Sequence, residues 1–158
     1  MRAIGSLDGI QSVLPQLSEK RVFHRDAKGT EAGGYVATRR VIRSLAPGDY
    51  LLIAAANDNS ARGAIRATRE ARRGAFTAIF AQGWGPDEAL DAELRCAESP
   101  LIGAVAYFPE LYGARIMPLV LQCLNGQPVP PASYVQHKLI VRDGVRSSLP
   151  VRIHSAFL

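Results

Sequence analysis

The sequence predicts an α/β fold, a parallel sheet with flanking helices, from three observations. Residues 51–66, LLIAAANDNSARGAIR, open with an uninterrupted apolar run, Leu51 to Ala56, as a strand buried on both faces does. The run breaks at Asn57-Asp58-Asn59, residues that favour turns and helix N-caps, and a helical pattern follows with Ala61, Ala64, Ile65 and Thr68 on one side. Second, strand-like runs at 22–26, 50–56, 76–81 and 101–106 recur about 25 residues apart with a helical pattern after each, which calls for right-handed βαβ crossovers. Third, 158 residues with 47% hydrophobic and 21% charged suit one globular domain able to bury a core.

Each element has its local reason. Residues 1–14 read as a helix with Leu7, Ile10 and Leu14 on one face and Pro15 as a stop. After the strand at 22–26 the turn is Ala27-Lys28-Gly29-Thr30, and a helix over 31–45 turns Thr38, Val41, Ile42 and Leu45 inward. Pro47-Gly48-Asp49 leads into the central strand, whose helix runs to about Arg73. The strand at 76–81 is followed by Gln82-Gly83-Trp84-Gly85 and a helix opened by Pro86, with Leu90 and Leu94 inward. Tyr107-Phe108-Pro109 leads from the strand at 101–106 into a helix through Leu124, ended by Asn125-Gly126 and bent by Pro118 inside it, which removes a hydrogen bond. Beyond Gln127, PVPPA is an extended linker and 133–141 one strand-like run. The main domain is placed at 1–140. The tail, 141–158, has no clear partner, although Val151-Arg152-Ile153-His154 alternates like a half-buried strand.

The composition excludes several classes. The formal charge of +5 bears on solubility rather than fold. No apolar run reaches the ~18 residues of a membrane span, and the first ten residues do not read as a signal peptide, so a cytoplasmic location is expected if the chain is translated as given. Cys96 and Cys123 have no metal-like spacing and read as two buried free thiols; no ligand cluster suggests a metal site, and no cofactor is expected. His24, His137 and His154 accompany no recognisable nucleophile motif, so no catalytic residue is assigned. Arg62, Arg66, Arg69 and Arg73 form a helical stripe that reads as a solvated face, without the aromatic residues or helix-turn-helix of a nucleic-acid reader. Asp87, Glu88, Asp91 and Glu93 read as solvated first turns of a helix, where acidic groups suit the dipole.

Four stretches carry a resemblance: RAIG at the start, LLIAAANDNSARGAIRA, AIFAQGW, and LIGAVAYFPELYG followed by a helix and NGQPVP. In this order and spacing they resemble the C-terminal lobe of a type I periplasmic binding protein, the sugar-binding family of ABC importers, whose fold the effector domains of LacI-type repressors share. The resemblance implies a Rossmann-like single lobe, a monosaccharide or polyol ligand, an ABC permease as partner and a periplasmic location. It places Arg2 where the family has an arginine before a glycine, and Asn57 at the family's asparagine in the Asn-Asp turn. Gln82 stands where an aspartate often grips sugar hydroxyls, and Tyr107 where a glutamine often sits near the hinge. Thr30, in the turn after the first strand, is the fifth candidate. Trp84, the single tryptophan, fits plain packing better than sugar stacking.

By the same resemblance the lobe's first strand, central between those at Val22 and Leu51, and the whole N-terminal lobe are missing. Unpaired strand edges inside the sheet are then expected, open to self-association or to the absent lobe unless another segment fills them. The stretch around Val151 to His154 is one candidate filler. An effector lobe of a LacI-type regulator is the alternative function.

Overall fold

A computed structural model of the chain describes residues 2–84, 88–134, 137–142 and 153–157; for Arg2, Trp84 and 153–157 it describes the backbone alone. The strands are β1 (Val22–His24), β2 (Tyr50–Ala55), β3 (Thr77–Trp84), β4 (Leu101–Ala106), β5 (Lys138–Val141) and β6 (Ile153–Phe157). The helices are α1 (Arg2–Val13), α2 (Glu31–Ile42), α3 (Asp58–Glu70), α4 (Glu88–Arg95) and α5 (Tyr112–Leu124). The six strands form one sheet in the order β1-β6-β2-β3-β4-β5, parallel throughout except for β5, which runs antiparallel to β4. The α/β class expected from the sequence is the class observed.

The tail fills the slot that the resemblance leaves empty. Strand β6 lies between β1 and β2 and is parallel to both, with Ser155 level with Val22 on one side and Leu52 on the other. Both interior strand edges are thereby paired, which corrects the expectation of an open slot available for self-association. The filler is Ile153–Phe157, two residues later than the alternating stretch that suggested it. Residues 143–152 lie outside the described residues, as do Gly85, Asp87 and the Pro86 expected to open the next helix.

From β1 through β2 and β3 to β4 the chain steps across the sheet in one direction, so right-handed crossovers put α2, α3 and α4 on one face. Toward them point Leu51, Ile53, Ala55, Ile79, Ala81 and Leu101, all buried. The helices meet this face on small residues. Helix α3 buries Ser60, Ala61, Gly63, Ala64 and Ala67, and its backbone comes close to that of α2. A methyl group on Gly63 would stand 2.0 Å from the carbonyl oxygen of Glu31, and one on Gly34 2.3 Å from that of Ser60. Only glycine permits this approach. The second face carries Leu52, Phe80, Ile102 and Val105, half-buried. Helix α1 serves this side, and its Leu7, Ile10 and the following Leu14 are half-buried rather than core.

Several local expectations are revised: Cys96 is only half-buried and Cys123, on the uncovered helix α5, is exposed, so neither is the buried thiol expected. Helix α2 ends at Ile42, and Leu45 packs on the core from the turn beyond. Strand β3 runs to Trp84, so Gln82 and Gly83 belong to the strand and not to a loop after it. The arginines of α3 lie at the surface as expected, in ion pairs. Arg62 and Arg66 each lie 3.5 Å from Glu31, and Arg69 forks onto Glu93 at 2.5 and 2.7 Å. Glu93 is correspondingly shielded and also accepts from Ser99. Arg73, 9% exposed, donates to the carbonyl oxygens of Ala46, Pro47 and Asp49 and pins the turn that feeds β2. The buried guanidinium is tolerable because backbone carbonyls take its Nη1 and Nη2 donors, although its Nε finds no partner among the described residues.

Candidate functional site

Parallel strands bring their C-terminal ends to one edge of the sheet, where ligand sites of open α/β folds form. Asn57 stands two residues beyond β2, Gln82 near the end of β3, and Tyr107 one residue beyond β4. The three line one cleft of about 450 Å³, within the range of small-molecule sites. Asp58 and Asn59 from the first turn of α3, Gly83, Pro109 and Tyr112 complete its wall.

Each wall residue is held by its surroundings. Asn57 is the N-cap of α3: its Oδ1 accepts from the N–H of Ser60 at 2.8 Å. Its Nδ2 donates to the carbonyl oxygen of Gly29 at 3.2 Å, tying the turn after β1 to the turn after β2. Gln82, 8% exposed, donates from Nε2 to the hydroxyl of Ser6 on α1 at 2.5 Å. Its Oε1 accepts from the Tyr107 hydroxyl at 3.3 Å. These two contacts assign the two ends of the amide, leaving its second N–H as the donor still to be placed. The Tyr107 ring meets His137 edge-on at 4.9 Å.

Backbone irregularities shape the cleft. The β3–β4 register shifts between Gln82 and Trp84, and Gly83 adopts φ 114° there. Such a bulge ends regular pairing and re-aims the strand's last side chains. Phe108 follows β4 in the left-handed region, φ 50°, a strained choice for an aromatic residue. It turns the chain out of the sheet into a short 3-10 turn, Pro109–Leu111, and then α5.

Of the five sequence candidates, Asn57, Gln82 and Tyr107 share the cleft. Thr30 is not among the residues that line it. Its hydroxyl caps α2 by accepting from the N–H of Gly33 at 3.0 Å, and it reaches the site only through the Gly29 turn it adjoins. Arg2 belongs to α1, and its side chain lies outside the described residues, as does that of Trp84. The sequence reading missed Ser6, Tyr112 and the wall role of Asp58 and Asn59. The last two adjoin Asn57 and were open to inference, whereas Ser6 lies 76 positions from the glutamine it holds. Among the described residues no group of three potential ligands gathers to hold a metal, and no helix is long and apolar enough to cross a membrane.

No protein-family model matches the sequence, and no curated protein matches it. Solved structures do match by shape. An ABC transporter periplasmic solute-binding protein from Actinobacillus succinogenes with bound D-allose is 19% identical, with TM-score 0.63 over 74% of this chain and 39% of that one. A solute-binding protein of an ABC transporter from Agrobacterium vitis with bound allitol is 20% identical, with TM-score 0.64 over 72% of this chain and 38% of that one. The lac repressor dimer bound to operator and an anti-inducer is 23% identical, with TM-score 0.58 over 72% of this chain and 32% of that one. The chain thus spans about two-fifths of the length of the solute-binding proteins it matches. Over that span it has the fold shared by the periplasmic sugar-binding proteins of ABC transporters and the lac repressor.

Proposed function

We propose that the chain is a solute-binding lobe for a monosaccharide or related polyol, of the kind found in ABC-transporter substrate-binding proteins. The observation that carries this reading is the convergence of Asn57, Gln82 and Tyr107 from three adjacent strand ends on one cleft. Their amides and hydroxyl suit a ligand rich in hydroxyl groups, which needs donors and acceptors in alternation. Tyr107 and Tyr112 add ring faces against which the apolar side of a sugar can lie. The proteins of like fold from A. succinogenes and A. vitis were solved with D-allose and allitol, which supports the ligand class.

In this reading the lobe is 1–140, its sheet is completed by the tail, and it works with a second lobe that closes over the ligand. An ABC permease would be the downstream partner and the periplasm the working compartment. No chemistry is assigned to the site, and no nucleic acid is bound by this chain directly. The second reading, an effector lobe of a LacI-type regulator, draws on the match to the lac repressor. Fractionation of native cells separates the two: a periplasmic protein fits the importer, a cytoplasmic one the regulator.

Calorimetric melting with a panel of pentoses, hexoses and polyols tests the ligand. A sugar present at 100 times its dissociation constant should stabilise the fold by about 2.7 kcal/mol. A cooperative transition that no member of the panel shifts would overturn the reading.

A further inference from the structure

Helix α5 carries its apolar stripe on the wrong side for a helix that belongs only to this lobe. None of its residues is buried; Tyr112 and Leu119 are half-buried and mark the side nearer the chain. On the other side Ile116 is 51% exposed, Met117 55%, Val120 41%, Leu121 54% and Leu124 77%. Helical spacing places these five with Gly113 in one continuous stripe that contains no charged residue. They present on the order of 500 Å² of apolar surface, near the top of what single chains leave exposed.

We infer that α5 is a self-association face, whose occupant is the α5 of a second copy of this chain in antiparallel, two-fold contact. The stripe is its own complement. A two-fold axis through the helix midpoint exchanges positions 113 with 124, 116 with 121 and 117 with 120, so the set maps onto itself. That is the requirement of an isologous interface. The size match follows as well. Leu124, the most exposed of the five, falls opposite the partner's Gly113, and a methyl group built on Gly113 meets nothing within 4 Å, so space for a knob is present. Ile116 pairs with the partner's Leu121, and Met117 with the partner's Val120. Antiparallel packing also opposes the two helix dipoles. Two such faces with their polar surround bury about 1,200 Å², the lower limit of specific interfaces. A chain of charge +5 gains from meeting its copy on a face that carries no charge.

Sedimentation equilibrium of the full chain over a concentration series tests this, with far-ultraviolet circular dichroism as a check on folding. The expected result is a monomer–dimer equilibrium weakened at least tenfold in Leu121→Asp and unaffected by Val36→Asp, which removes an exposed apolar side chain on α2. Gly113→Leu separates specific pairing from stickiness. It enlarges the apolar surface yet fills the space meant for the partner's Leu124, so it should weaken the dimer. A monomer at every concentration, a dimer indifferent to Leu121→Asp, or one tightened by Gly113→Leu would overturn the inference.

Discussion

Asn57 donates its side-chain amide to the carbonyl oxygen of Gly29 across 3.2 Å while its own oxygen caps α3. One side chain thus joins two turns at the edge of the sheet and starts a helix. Asn57→Ala should cost about 1–2 kcal/mol in urea unfolding, the usual cost of a lost cap. Asn57→Asp keeps the acceptor and should cost less, because only the donor to Gly29 is lost. Equal losses in the two variants would show that the bond to Gly29, not the cap, dominates.

The close approach of α2 and α3 makes an opposite pair of glycine predictions. Gly63→Ala forces a methyl group to within 2.0 Å of the Glu31 carbonyl and should destabilise by about 3 kcal/mol or more. Gly9→Ala in α1 meets nothing within 4 Å and should stabilise by roughly 0.5–1 kcal/mol through helix propensity alone. Thermal melts of the two variants against the parent give the signs directly.

Strand β6 supplies backbone partners to β1 and β2 at once. Removing residues 143–158 leaves two interior edges unpaired and exposes the core beside Leu52 and Phe23. The shortened chain should lose its cooperative transition or aggregate during it. A truncated chain that melts as sharply and as high as the parent would show that β6 adds nothing to the sheet's stability.

If the cleft holds a sugar, Gln82 is its most buried polar contact. Gln82→Ala should weaken binding at least tenfold, about 1.4 kcal/mol, in titration calorimetry. Ser6→Ala should weaken it less, since Ser6 only orients the Gln82 amide. Tyr107→Phe tests the same device from the other end, as it removes the hydroxyl that marks Oε1 as the acceptor. Unchanged affinity in all three variants would move the ligand away from this wall.

Much of this was legible in the chain because it rests on local signals. The apolar run at Leu51, the Asn-Asp-Asn break, the small-residue face of α3 and the Asn125-Gly126 stop each act within a few residues. Periodicity therefore set the order of strands and helices and put Asn57 at the end of a parallel strand, whereas Gln82 and Tyr107 were singled out by the family resemblance. What lay beyond reach depends on contacts between distant segments. The placement of β6 between β1 and β2 is a matter of backbone pairing, which any extended stretch can offer and no side-chain pattern specifies. Ser6 found Gln82 only because α1 serves the second face of the sheet. Arg73 looked like one more member of a solvated stripe until the turn before β2 closed over it. Local sequence determined the pieces and their edges; the tertiary structure alone decided which distant backbone completed the sheet, which side chains oriented the site, and which side of α5 was left without cover.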